Sequence, residues 1–370
     1  MKEGWEYKKL GEVCNIEFGT RVVRSRDAGS IYPVYGGGGA TFKMDMYNRE
    51  DCMVISRFGM SEQCTRFVKG KFFLNDSGLT LSMKENCMIQ EFMDWQILYL
   101  NNTIYSLGRG AAQKNLDTKA LADVRITYPN NLSEQQTIVD YLDSSFAKID
   151  AMKANAEKAL GEANALFQAS LKEMLEPKEG IKWSTIGDLF ETYSGGTPTK
   201  SNKEYYEGGS IPWLRSGEVC QKEITETEMF ITEKGLKESS AKYYPENTVV
   251  VAMYGATAAQ VGILRIKSTS NQAVCGILPH KDFLPEFVYY WFSSIENKLA
   301  AQAQGGAQPN ISQQKIKKVE IPLYSIIKQQ TIVDTLDSLK SKVDRLQENY
   351  NKISQECDAL KQAILKQVFE

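Results

Sequence analysis

The longest regular pattern of apolar and polar positions in this chain is written twice. Between Gln329 and Glu370, Ile332, Leu336, Leu339, Val343, Leu346, Tyr350, Ile353, Cys357, Leu360 and Ile364 follow one another at alternating steps of four and three. That is the 3.5-residue period of a coiled-coil seam. The same register occurs 194 residues earlier, at Ile138, Leu142, Ser145, Ile149, Met152, Ala156, Ala159, Ala163 and Leu166. Gln135-Gln136-Thr137-Ile138-Val139-Asp140 returns as Gln329-Gln330-Thr331-Ile332-Val333-Asp334, and the match runs without a gap to Glu176 and Glu370 with half of the residues identical. The pattern predicts two long helices, each ~60 Å at ~1.5 Å per residue, paired antiparallel within the chain so that Ala156 lies near Tyr350 and Ala163 near Val343, with dimerisation between two chains as the alternative. Ser133 is the expected N-cap of the first helix, and Pro177 with Gly180 its expected stop.

Shorter patterns precede each long helix, and they also correspond. In the first half Val13, Ile16 and Phe18 alternate as a strand. Ile31–Tyr35 leads into Gly36–Gly39, and Met53–Gly59, Lys71–Leu74 and Val124–Tyr128 are expected strands, the last stopped by Pro129. A helix is expected over Glu91–Ser106. In the second half Trp183, Ile186 and Leu189 repeat the opening made by Trp5, Leu10 and Val13. Ser210–Leu214 answers Ile31–Val34, Val249–Gly255 answers Met53–Gly59, and Glu286–Ala300 answers Glu91–Ser106. Gln308-Pro309-Asn310-Ile311 answers Gln113-Lys114-Asn115-Leu116, and Val319–Ile321 answers Val124–Ile126. The expected organisation is a globular segment over 1–133, a long helix over 134–176, a second globular segment over 177–327 and a second long helix over 328–370. The fold class is α+β with an internal pseudo-two-fold repeat.

Composition narrows the chemistry. No apolar run reaches the ~20 residues of a membrane span, and Met1–Glu6 has no apolar stretch behind it to make a signal peptide. The seven cysteines form no Cys-x-x-Cys pair and fit a reduced, cytoplasmic protein. The single histidine, His280, sits in an expected turn after Pro279, which excludes a multi-histidine metal site and argues against a Ser-His or Cys-His nucleophile. Gly36–Gly39 is followed by Ala40-Thr41-Phe42, without the Gly-Lys-Ser/Thr ending of a phosphate-binding loop. No Gly-x-Gly-x-x-Gly opens a helix, and no Asn/Asp-Pro-Pro-aromatic tetrapeptide marks an amino-methyltransferase. Asp282 with Glu296-Asn297-Lys298 only loosely matches a nuclease pattern and falls on an expected helix. The chain is therefore expected to be non-catalytic, with no cofactor or metal of its own.

Binding chemistry remains. A net charge of −2 shows no overall basic bias, but local fields decide contact with DNA. The first segment places Arg21, Arg24 and Arg26 in one loop, with Arg57 and then Arg109 beside glycines. The second places Thr197, Lys200 and Lys203 in one loop, then Arg215, Tyr254, Gln304 and Gln308. Arg and Lys suit phosphates or guanine, Asn and Gln suit adenine, and glycine allows close backbone approach. Ordinary solvated loops are the competing explanation, and if DNA is bound these twelve are the candidate DNA-binding residues.

Gly195–Lys200, Ser210–Val219, Tyr254-Gly255-Ala256-Thr257, Asn271-Gln272-Ala273 and Gln308–Ile311, in that order, resemble the specificity subunit of type I restriction–modification systems. Pro33–Gly38 and Gln113–Leu116 are similar in the first half, so the resemblance spans essentially the whole chain. Tyr324 and Lys328 depart from the family's usual proline and glutamate. The resemblance implies two target-recognition domains, each reading half of a split, asymmetric sequence in double-stranded DNA, with the helices acting as a spacer. It implies two methyltransferase subunits docked on those helices and restriction/translocase subunits in the full complex, with S-adenosylmethionine, ATP and Mg2+ held by these partners. The alternatives are the recognition subunit of a related split-subunit or modification-only methyltransferase and a coiled-coil scaffold that binds no DNA.

Overall fold

A computed structural model describes residues 4–84, 87–111, 113–176, 179–301 and 310–370. The chain packs as two compact units. Unit 1 holds residues up to Glu157 together with Asn349–Glu370, and unit 2 holds Lys158–Glu348. Each unit thus combines one globular segment with the start of one long helix and the end of the other.

The two long helices are Leu132–Leu175 and Ile326–Phe369. The first is capped by Asn131, whose side chain accepts from the Ser133 N–H at 2.8 Å, and not by Ser133, which lies inside the helix. Asn wins because its carbonyl sits one residue before the first turn, where the free N–H groups point. Ser325 plays this part for the second helix, accepting from Lys328 N–H. Gly180 follows the first helix with φ +83°, the left-handed geometry expected of a stop, while Pro177 lies outside the described residues.

In unit 1 the helices run antiparallel. Ile149 O accepts from Cys357 Sγ, and Lys153 and Asp150 pair with Asp358 and Lys361. The buried line differs from the expected seam at every second position. Leu142, Ile149, Ala156 and Ala163 face inward as expected, but their companions are Phe146, Lys153, Leu160 and Phe167, each one residue later than expected. Met152 and Leu166 are instead 57% and 59% exposed, and their repeats Leu346 and Leu360 are 36% and 48% exposed. Steps of four and three can alternate in either order, and the bulk of Phe146, Leu160 and Phe167 selects the other order.

Each globular segment is closed at its base by a short antiparallel pair, Trp5–Lys9 with Arg125–Pro129 in unit 1 and Trp183–Thr185 with Glu320–Pro322 in unit 2. Pro129 is therefore the last paired residue, opposite Trp5, not a residue beyond the strand. The unit 1 sheet has the order Cys14–Phe18, Gly78–Met83, Arg49–Ser56, Thr65–Leu74, Tyr32–Tyr35, Lys43–Met44. All neighbours are antiparallel except Tyr32–Tyr35, which runs parallel to Thr65–Leu74. In unit 2 the counterpart of the long Thr65–Leu74 strand is divided. Val261–Leu264 joins a five-stranded sheet, and Thr269–Ser270 runs parallel to Ile211–Leu214 in a three-stranded one.

The helix expected over Glu91–Ser106 is two, Gln90–Tyr99 and Asn101–Ser106, and its repeat likewise divides into Pro285–Ser294 and Glu296–Ala301. In unit 1 the break serves Asn101. Its side-chain oxygen accepts from Cys64 and Thr65 N–H at 3.0 Å each, and its amide donates to Glu62 O at 2.7 Å, fastening the helix to the strand edge. The unit 1 core packs Phe92, Ile97 and Leu121 against Val139, Leu142 and Leu365, and the unit 2 core packs Phe287, Phe292 and Ile316 against Leu171, Ile332 and Leu336.

Candidate nucleic-acid interface

In unit 1 the strand Arg49–Ser56 runs out into Arg57-Phe58-Gly59. Gly59 has φ +59°, which a side chain would strain. Arg57 O accepts from Leu116 N–H at 2.8 Å, Phe58 bridges Asn115, and the Asn115 side chain accepts from Gly59 N–H at 3.3 Å. Arg109 pairs directly with Asn115 in a short hairpin. Arg57 and Arg109, far apart in sequence, thus lie on adjoining backbones. The Gly36–Gly39 loop also comes here: a Cβ on Gly37 would stand 2.6 Å from Phe58 O, and Gly37 O accepts from Ser56 Oγ and from Arg66 at 2.7 Å.

Phe18, three residues before Arg21, packs on this edge, and Arg24–Asp27 form a single helical turn and not the expected loop. The Arg57 guanidinium lies 4.6 Å from the Phe18 ring centre and 4.5 Å from that of Phe58, and both rings are partly exposed. Such cation–π contacts contribute ~0.5–2 kcal/mol each and fix the plane of the guanidinium. Arg57 has no hydrogen-bond acceptor among the described residues, so its donors remain available. Arg21 and Arg24 are exposed and likewise have no side-chain partner among the described residues. Arg26 is engaged with Asp27 at 2.8 Å, and its guanidinium holds that carboxyl below the ordinary range. Arg109 is 81% exposed but paired with Asp117 at 2.6 Å.

Unit 2 repeats the frame with different side chains. Val249–Ala252 runs out into Met253-Tyr254-Gly255, with φ +75° at Gly255. Tyr254 bridges Asn310, and Met253 O accepts from Ile311 N–H at 2.8 Å, as Phe58 and Arg57 do with Asn115 and Leu116. Met253 N–H donates to Ala273 O at 2.8 Å, which places Gln272 next to this edge, and Gln272 is hydrogen-bonded to the Thr197 hydroxyl. Asn271 N–H donates to Leu214 O at 2.9 Å, so Arg215 adjoins the same group. Arg215 is engaged by Glu218 at 3.2 Å and by Glu228. Lys203 lies 3.7 Å from Glu207. Lys200 is exposed, without a partner among the described residues, on a loop pinned by Tyr206 OH donating to Pro198 O at 2.6 Å. Gln304 and Gln308 lie outside the described residues.

Three kinds of residue at these sites are not among the twelve candidates. Phe18 and Phe58 clamp Arg57, Asn115 and Asn310 pin the two turns, and Gln272 meets Thr197. The recurrence of Asn115-Leu116 as Asn310-Ile311 marked the asparagines, but no local pattern joins Gln272 to Thr197 across the 75 residues between them. At the position of Arg57 unit 2 has Met253, so one framework presents a stacked cation in one unit and a neutral Tyr254, Gln272 and Thr197 group in the other.

A family model described as the type I restriction modification DNA specificity domain matches residues 2–160 and 178–355. The specificity subunit of the Escherichia coli type I restriction enzymes EcoR124I/EcoR124II is 28% identical over 365 residues, covering 93% of this chain and 88% of that relative. The MjaIX specificity subunit of Methanocaldococcus jannaschii is 33% identical over 172 residues, 45% of this chain and 38% of that relative. A chain from a structure describing complex assembly and conformational transition of the type I R-M system superposes with TM-score 0.76 at 15% identity, over 100% of this chain and 98% of that one. The HsdS subunit from Thermoanaerobacter tengcongensis gives 0.57 at 16% identity, over 100% and 97%.

Proposed function

This chain belongs to the type I restriction modification DNA specificity family, as a subunit with two recognition domains, and from that premise we propose that it reads a two-part target in double-stranded DNA. Unit 1 reads one part through Arg57, Arg21 and Arg24, and unit 2 reads the other through Thr197, Gln272, Tyr254 and Lys200. The observation that carries this reading is the repeated frame itself, Arg57-Phe58-Gly59 on Asn115 and Met253-Tyr254-Gly255 on Asn310, with different side chains mounted on each. A stacked guanidinium with free donors suits a guanine edge, and a hydroxyl–amide pair suits adenine or a phosphate.

In this reading the chain is non-catalytic. Methyl transfer belongs to two methyltransferase subunits docked on the long helices, and restriction to further partner subunits. S-adenosylmethionine, ATP and Mg2+ belong to those partners, and the paired helices set the spacer between the half-sites. A test is salt-dependent binding to target duplexes by the complex with its methyltransferase subunits. Arg57→Ala is expected to relax discrimination at one half-site only, with a cost of about 1–3 kcal/mol for a lost bidentate base contact. An equal loss at both half-sites, or none, contradicts the reading.

A further inference from the structure

Unit 1 and unit 2 follow one plan, and they differ at a space that one fills and the other leaves open. In unit 1 the last turn of the second long helix brings Phe369 edge-on to Phe92 at 5.5 Å and stacked on Tyr99 at 5.4 Å. Tyr99 OH donates to Glu370 at 3.2 Å, so an aromatic ring followed by a carboxylate closes this end of the unit.

The long-helix repeat places Leu175 and Glu176 where Phe369 and Glu370 stand. Gln90–Tyr99 and Pro285–Ser294 are both ten residues long, and each is followed after one residue by a six-residue helix, so Ser294 takes the place of Tyr99. Two rings have become an isobutyl group and a hydroxymethyl. A cavity of about 820 Å³ opens at this point, lined by Leu175 and Ser294 with Trp183 and Trp291, whose rings lie 5.5 Å apart. That volume falls within the range of ligand-sized sites.

The lining is also recharged. Lys298, Lys315 and Lys318 line the cavity with Lys172, whose repeat in unit 1 is Lys366, and the acidic side chains among the described lining are Glu176 and Glu320. Residues Thr118–Ala122 and Gln313–Lys317 are equivalent five-residue helices, which sets Lys315 and Lys318 against Ala120 and Asp123 of unit 1. Lys298 likewise stands where unit 1 has Thr103. Trp291 is 7% exposed, and its Nε1 donor has no hydrogen-bond partner among the described residues. Its equivalent in unit 1, Gln96, donates to Thr127 O at 2.7 Å. An unpaired buried donor is destabilising unless something completes it.

We propose that this cavity of unit 2 receives an acidic peptide segment bearing an aromatic side chain, supplied by a partner chain. The incoming ring occupies the space that Phe369 and Tyr99 fill in unit 1. Its flanking carboxylates meet the lysines, as Glu370 meets Tyr99. A backbone carbonyl of the segment accepts from Trp291 Nε1. Unit 1 fills the corresponding space itself, so a partner anchored this way is held by the second half of the chain and not by the first.

The test is calorimetric titration of the full chain with the end-blocked peptide Glu-Glu-Phe-Glu-Glu. Saturable binding is expected, weakened at least ~10-fold when the peptide's Phe is Ala, the scale of one buried ring contact. The double substitution Leu175→Phe with Ser294→Tyr rebuilds the unit 1 ring pair and is expected to lower affinity ~10-fold or more without lowering the melting temperature. Lys298→Glu with Lys318→Glu changes only exposed positions and is expected to lower affinity by a similar factor and flatten its salt dependence. No saturable binding by the unsubstituted chain overturns the proposal. So does binding that survives both double substitutions, or that is indifferent to the aromatic residue.

Discussion

At the scale of single residues, Arg57 lies between two phenylalanine rings with no acidic partner among the described residues, while Arg26 is paired with Asp27, Arg109 with Asp117, and Arg215 with Glu218 and Glu228. Only the Arg26–Asp27 pair and the Arg215–Glu218 spacing were legible locally, because Asp117 and Glu228 reach their arginines through tertiary turns. Asp94 gives a prediction at this scale. It is buried in unit 1, where desolvation pushes its carboxyl up to about 7 against only a Gln90 hydrogen bond. An unfolded aspartate titrates near ~3.9. Between those values the folded chain keeps a proton that the unfolded chain releases. The stability this contributes is complete below the unfolded value and is lost as pH rises through the folded one. Asp94→Asn is therefore expected to be more stable than the unsubstituted chain at pH 8 and closely similar near pH 4, in urea titrations of the same two proteins. A difference independent of pH contradicts the assignment.

At the scale of elements, the duplicated Gln-Gln pair shows how much a motif can conceal. Gln135 is fully buried. Its oxygen accepts from Ile89 N–H at 2.9 Å, and its amide donates to Cys87 O and Pro129 O at 3.0 and 2.8 Å. Gln329 does the same in unit 2 with Leu284 N–H, Asp282 O and Tyr324 O. Their neighbours Gln136 and Gln330 merely reach Asp140 and Asp334 one turn along the helix surface. Gln135→Leu strands three buried backbone groups and is expected to cost about 2–5 kcal/mol. Gln136→Ala removes an exposed pair of about 0.2–0.5 kcal/mol. Denaturant titrations of the two variants should differ accordingly, and equal effects would contradict the buried clamp. The repeat announced that these positions matter, but the division of labour within it depends on which face meets the globular segment. The seam has the same lesson. Its period was legible, but its order of steps was set by Phe146, Leu160 and Phe167, whose weight the second copy, with Leu346 and Leu360, obscured.

At the scale of the molecule, the two halves keep one frame and vary what it carries. The repeat, the element order and the two turns were legible because glycine and asparagine recur where backbone geometry demands them. The division of the Thr65–Leu74 strand into two in unit 2 was not, because strand breaks between buried apolar runs leave no periodic trace. In the proposed reading the paired helices set the interval between half-sites. One heptad added after Ala156 and another after Tyr350 preserves the seam and lengthens each helix by ~10 Å. Methylation maps are expected to show both half-sites intact with a spacer longer by roughly three base pairs, at ~3.4 Å per pair. An active variant confined to the original spacing contradicts the spacer role. In the proposed reading each half of the chain reads its own half of the target, and a domain exchange tests this. Residues 1–133 are exchanged for those of a family member of different specificity, and the modified adenines are mapped across a genome. One half-site is expected to change to the donor's while the half read by unit 2 stays as it was; a simultaneous change of both halves would contradict the assignment of one half-site to each unit.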